Sequence, residues 1–327
     1  MPLALVVLLG FAALAADAQS LRFRGHGGSP GENFVFPDRV KIDTLPPAAV
    51  NIGVADFTIE FFLRASAADN PNGGFACGFG IDWVNSNILI DRDRFGQPRK
   101  VGIGLLDGAV AFGVGDDFVD YTLCGSVVVA DDAWHHVAVE RRASDGRLRI
   151  WVDGVLDTEG PVSGGPTGDV SYPVGAVPGT FCSPDGGSGA SPCDNSDPFW
   201  VFGAEKHGFA GINYDGFLDE VRFSTVLRYT TPFPPPTTPF APDAQTAALY
   251  HFDEGAGATT ADATGNGGTG TIFFGGSAPP GPEWVAETPF AFAVPSIAPL
   301  ALGALAAGLG LCGAVGAWRA VARPRRR

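Results

Sequence analysis

The sequence predicts an all-β chain of many short strands, arranged as a sandwich or a barrel. Three observations predict it. Gly and Pro supply 46 and 27 of the 327 residues, so turns come close together and long helices are interrupted. Aromatic residues make up 11% of the chain, enough to fill a core and to exclude wholesale disorder. Several short runs alternate apolar and polar residues at period 2, and no long amphipathic helix is legible before Pro289.

Taken in order, DFTIEFFLRA (56–65) puts Phe57, Ile59, Phe61 and Leu63 on one face and Thr58, Glu60 and Arg64 on the other, with Phe62 out of pattern. Residues 101–106 and 109–114 are shorter strand candidates. WHHVAVERRASDGRLRIWVDGVLD (134–157) reads as a strand through Val137 and Val139, a turn at Ser144-Asp145-Gly146, a return strand through Leu148, Ile150 and Val152, and a tight turn at Asp153-Gly154. His135 and His136 enter the first of these strands, one facing inward and one outward. Residues 200–203, FLDEVRFS (217–224) and AALYHFDEG (247–255) complete the strands. The Pro-rich run 230–243 is an extended surface connection within one domain, and 262–271 is a Gly-rich turn between closing strands.

Both ends fall outside this pattern. Residues 1–18 read as a secretory signal peptide, with an apolar stretch and the small-x-small pattern Ala16-Asp17-Ala18 ahead of Gln19. Residues 291–318 carry no charge and are long enough for one transmembrane helix. The basic tail 319–327, with Arg319, Arg323, Arg325, Arg326 and Arg327, should stay in the cytoplasm. The expected product is an exported protein with its body (19–290) at the cell surface. That body holds 34 acidic against 16 basic residues, a balance of −18. Such a charge excludes nucleic acid as a partner, because its phosphates are bound by Lys and Arg. It permits divalent cations, which take oxygen ligands.

DFTIEFFLRA, WHHVAVER followed by GRLRIWVDG, and FLDEVRFS together resemble the laminin-G-like sandwich of the concanavalin A-like lectin/glucanase group. The run RYTTPFPPPTTPFAPDAQTAALYHFDEGAGATTADATGNGGTGTI, with GPEWV beyond it, resembles bacterial secreted members. The resemblance covers about residues 21–290. It implies a two-sheet antiparallel β-sandwich of the jelly-roll kind, about six or seven strands per sheet, and it leaves function open. The head Val294-Pro295-Ser296-Ile297-Ala298-Pro299, the apolar span and the Arg cluster resemble a PEP-CTERM sorting segment. That class implies an exosortase-type protease as partner. A permanent single-pass membrane anchor is the other reading of the same segment.

Cys312 lies in the tail. Cys77, Cys124, Cys182 and Cys193 remain in an exported body, where an even number reads as disulfides. Cys182 and Cys193 bracket a Gly-rich loop and are expected to pair, leaving Cys77 with Cys124. A four-thiol metal site is the rival, without the C-x-x-C spacing such sites use.

No strand carries the E-x-D-x-x-E spacing of fold-related glucanases, and Asp219-Glu220 and Asp253-Glu254 are adjacent pairs whose side chains should point to opposite faces. The sequence therefore reads as a non-catalytic module. Asp215 and Asp219 form an oxygen-rich strand entrance in YDGFLDEV. The resemblance implies a structural cation there, carried onto Asp219, with Asp56 and Asn51 as neighbours and Ca²⁺ as the ion; turn capping is the competing role. For glycan binding, which uses an exposed ring beside polar groups, Trp83 with Asn85 and Asn87 is the first candidate, and Trp200 the second. Trp134, Trp151 and Trp284 are expected in the core. The leading function is recognition of extracellular glycan or matrix. The alternatives are a structural surface or biofilm-matrix protein without a specific ligand, and a degenerate glycoside hydrolase.

Overall fold

A computed structural model of the chain describes residues 19–26, 38–44, 48–93, 98–173, 198–206, 212–275 and 279–290. The leader 1–18, Cys182, Cys193, the span 291–318 and the tail 319–327 lie outside the described residues. Among the described residues no helix is long and apolar enough to cross a membrane.

The described strands are β1 (Ser20–Arg24), β2 (Arg39–Asp43), β3 (Phe57–Ser66), β4 (Gly78–Phe79), β5 (Asn87–Asp91), β6 (Lys100–Leu106), β7 (Ala109–Gly115), β8 (Asp120–Val128) and β9 (Asp131–Arg142). Then follow β10 (Arg147–Val152), β11 (Val155–Gly160), β12 (Phe199–Phe202), β13 (Asp215–Ser224), β14 (Thr246–Tyr250), β15 (Thr259–Thr260), β16 (Gly270–Phe273) and β17 (Glu283–Val285). A 3-10 turn covers Asp82–Asn85. One sheet runs β11-β10-β9-β3-β13-β1-β17, with β14 also on β13; the other runs β15-β16-β2-β12-β5-β6-β7-β8-β4. The ladders are antiparallel. The architecture is the expected two-sheet antiparallel sandwich, with eight and nine strands among the described residues rather than six or seven.

Strand alternation places the core. Phe57, Ile59, Phe61 and Leu63 of β3 and Val137 and Val139 of β9 face Val101, Ile103, Phe112 and Val114 of the other sheet. Phe57 meets Phe112 edge-on at 6.3 Å between ring centroids. The hairpin turns follow their sequence signals. Asp153-Gly154 (φ 49°, 77°) and Asp107-Gly108 (φ 51°, 78°) both hold two successive left-handed residues, the turn whose twist matches the flanking strands.

The opposite face of β3 is covered too. The 230–243 connection crosses it, bringing Phe240 onto Phe62 and Phe290. That apolar cluster explains why Phe62 breaks the alternation. Beside it Glu60 is fully buried and accepts hydrogen bonds from Arg222 (2.8 Å), the Tyr229 hydroxyl (2.7 Å) and His136 Nε2 (3.2 Å). Burial alone would raise its carboxyl; the His136 hydrogen bond, the Arg222 charge and the Tyr229 hydroxyl hold it below the usual range. His136 is thus a structural residue, and His135 is clasped by Asp153 (2.7 Å) and Asp131 (3.0 Å).

Cys77 and Cys124 are bonded, with Cα atoms 5.9 Å apart, tying the segment before β4 to β8. Asp38 ties β1 to β2, accepting the backbone N–H groups of Arg24 and His26. Burial pushes its carboxyl up to about 6, although those hydrogen bonds and His26 pull it down. A folded pKa above the unfolded value of 3.8 means that the folded state binds the proton more tightly. The stabilisation is complete below about pH 4 and is lost as pH rises toward 6. Denaturant unfolding is expected to show a loss on the order of 2 kcal/mol across that window, and Asp38→Asn to flatten it.

Candidate functional site

β13 receives two different strands along one edge. β1 pairs with residues 215–218 and β14 with residues 221–224. Asp219 and Glu220 fall at the handover, where the ladder to β3 also slips by one residue. Glu220 takes φ 55° in this bulge, and Phe252, just beyond β14, takes φ 57°. Both departures break the strict in-out alternation expected of adjacent residues. Glu220, His251 and Asp253 are brought together, with one potential ligand atom of each within 4.8 Å of the others.

The contacts show how the cluster is held. His251 Nδ1 lies 2.7 Å from Glu220 Oε1, and the Phe240 N–H donates to Glu220 Oε2 at 2.7 Å. The Gln19 N–H donates to Asp253 Oδ1 at 3.1 Å, so the start of the body is joined to the loop after β14. Asp219 is 1% exposed, and its Oδ1 has no hydrogen-bond partner. Burial, then the charges of Glu220 and Asp253, push its carboxyl up to about 9. The clustered Glu220 and Asp253 carboxylates, whose charges also act on the buried Asp219 carboxyl, offer oxygen donors of the kind Ca²⁺ takes. Asp219, Glu220 and Asp253 would supply them, with His251 fixing Glu220. The ion would replace mutual repulsion by attraction and tie β13 to the loop after β14.

The other expected ligands are not there. Asp215 is paired with Arg22 at 2.5 Å at the entrance of β13. Asp56 precedes β3 and accepts the Ala143 N–H at 2.7 Å. The register Gly216↔Ala65 and Ser224↔Thr58 sets Asp215 and Asp56 at opposite ends of the β3–β13 pair. Asn51 is engaged by the Tyr172 backbone, at 2.7 and 3.0 Å. Asp56 and Asn51 brace a turn and a loop, and Asp215 makes an ion pair between β1 and β13. His251 and Asp253 were not singled out as ligands in the sequence; the signal available was the pairing of LYHFDEG with FLDEV.

The expected glycan platform is also corrected. Trp83 is 1% exposed. Gly102 and Gly113 lie opposite each other on β6 and β7, and a Cβ on either would fall 2.0 or 1.8 Å from the Trp83 ring. The indole lies on a floor that these glycines clear for it. Asn87 is buried, donating to the Asn213 carbonyl (3.0 Å) and accepting the Asn72 N–H (3.0 Å), while Asn85 is half-buried on the 3-10 turn. Trp200 is 0% exposed, in the core against Phe223.

An open concavity of about 310 Å³ lies one row along the same outer face, at the β7–β8 turn. Lys100, Asp116, Asp117, Phe118 and Asp120 line it, and Phe118 is 90% exposed. Asp116 accepts the N–H groups of Phe118, Val119 and Gly168 (2.7–2.8 Å). Asp117 takes a two-point contact from Arg99, at 3.1 and 3.0 Å.

No protein-family model and no curated protein matches the sequence. Solved structures do. A Bacteroides ovatus protein described as carbohydrate binding matches at 16% identity and TM-score 0.48, over 84% of this chain and 61% of its own. A pentraxin of Limulus polyphemus matches at 12% and 0.35, over 65% of this chain and 79% of its own. Domains LG4-5 of the mouse laminin α1 chain match at 12% and 0.38, over 69% of this chain and 47% of their own. The chain thus spans about three fifths of the Bacteroides protein and under half of the laminin one. The sandwich itself rests on its own sheet topology.

Proposed function

We propose that this is an exported, surface-presented, non-catalytic recognition module for extracellular glycan or matrix, with Ca²⁺ as a structural ion at Asp219. The observation that supports it most is the open concavity at the β7–β8 turn, with an exposed ring at its rim and polar groups inside. Sugars place their C–H faces on such rings and their hydroxyls on such groups. A glycosidase needs two carboxylates across one bond. In this concavity Asp116 and Asp117 are already engaged, which leaves Asp120 alone. The Cys77–Cys124 bond suits an oxidising compartment outside the cytoplasm. Membrane attachment through 291–318, and removal of the tail by an exosortase-type protease, belong to the same proposal. Mass spectrometry of the mature C-terminus decides between anchoring and cleavage.

The test of recognition is a glycan array probed with the oxidised full chain, in Ca²⁺ and in EDTA. Saturable binding supports the module. Absence of binding by folded protein in both conditions favours a structural matrix role instead. For the ion, thermal unfolding in CaCl₂ is expected to exceed that in EDTA, by about 2.7 kcal/mol at a hundredfold excess over Kd. Asp219→Asn should abolish the difference, and equal midpoints for the parent chain in the two conditions would refute the site.

A further inference from the structure

We propose that the concavity at the β7–β8 turn takes an uncharged saccharide residue, its neighbouring hydroxyls held between Lys100 and Asp120 and its C–H face on Phe118. This rests on the glycan-recognition reading and names its site and ligand class.

The register builds the site. Lys100 pairs with Gly115 and Gly115 with Asp120, so the three stand abreast on β6, β7 and β8. Directly opposed residues share a face. The next row, Val101, Val114 and Tyr121, packs into or against the core, which turns Lys100, Gly115 and Asp120 to the outside. Gly115 contributes no side chain, leaving a gap between the long lysine and the aspartate. A Cβ there would fall 1.9 Å from Asp120 Oδ1.

The polar groups in the gap are incompletely satisfied. Lys100 is 7% exposed, yet its ammonium approaches a carboxylate only at 4.0 Å, from Asp93, beyond hydrogen-bond reach. Asp120 Oδ1 is buried without a hydrogen-bond partner. A buried acceptor left open is costly unless a ligand completes it, and the Lys100 ammonium on the same row can donate to that ligand.

Charge decides the class of ligand. An anion would meet Asp116, Asp117 and Asp120. A metal cation would meet the Lys100 ammonium. A hydroxyl both donates and accepts, so a neutral diol can donate to Asp120 while it accepts from Lys100. Phe118 stands in solvent with no packing role that would explain a bare ring, and it offers an apolar face for the sugar's C–H side.

The test is affinity electrophoresis of the oxidised full chain in gels containing laminarin, mannan, galactan, alginate or polygalacturonate. The parent should be retarded by at least one neutral polysaccharide and not preferentially by the two acidic ones. Phe118→Ala and Asp120→Asn should each weaken that retardation at least tenfold in Kd with an unchanged thermal midpoint. Lys100→Met should do the same, and Phe118→Ala keeps the test decisive if the buried lysine proves necessary for folding. Retardation by a neutral polysaccharide that survives both Phe118→Ala and Asp120→Asn overturns this site while leaving recognition standing. Preference for the acidic gels overturns the ligand class. Retardation in none of the gels overturns recognition itself, and this inference with it.

Discussion

Replacing Glu60 by alanine is expected to cost about 3–5 kcal/mol of folding stability, the loss seen when one partner of a buried ion pair is removed. Glu60 is fully enclosed between β3 and the 230–243 connection, and Arg222, Tyr229 and His136 converge on it. Its removal leaves the Arg222 guanidinium buried with its carboxylate gone, and the Tyr229 hydroxyl without its acceptor. The effect should be non-additive. A double variant, Glu60→Leu with Arg222→Leu, removes both charges and should recover part of the loss. Urea unfolding measures both. A loss below about 1 kcal/mol for Glu60→Ala would show that the network does not hold the connection onto the sheet.

Trp83→Ala is the second large effect, also about 3–5 kcal/mol, because it empties a space that Gly102 and Gly113 keep free for the indole. Gly113→Ala should destabilise the chain by overpacking from the other side, since its new Cβ would lie 1.8 Å from the ring. Glycan retention per folded molecule should be unchanged in both variants. If Trp83→Ala abolished retention and left stability intact, the indole would be a platform after all.

The inner face of the sandwich was legible because period-2 alternation maps directly onto burial. Phe57, Ile59, Phe61 and Leu63 read as one face and form one face. Phe62 did not fit, because what covers it, Phe240 and Phe290, is far away in sequence. Trp83 was misread for a related reason. Its polar neighbours Asn85 and Asn87 suggested an open site, whereas the decisive residues are the glycines alternating along β6 and β7, whose meaning depends on which strands pair. The proposed cation centre was legible only at Asp219. Alternation assigns adjacent Asp and Glu to opposite faces, and the left-handed turns at Glu220 and Phe252 cancel that rule locally. Asp215 and Asp56 looked close by their place in the motifs and were separated by antiparallel register. The Lys100–Gly115–Asp120 row was invisible for the same reason, since three strands must be aligned before its members meet.

The most direct measurement follows one array-positive glycan through both events of interest, retention by the oxidised full chain and release of new reducing ends. Saturable retention with no reducing ends above the protein-free background is the result predicted for a recognition module. Reducing ends that accumulate in proportion to protein, or retention that never saturates, would contradict it.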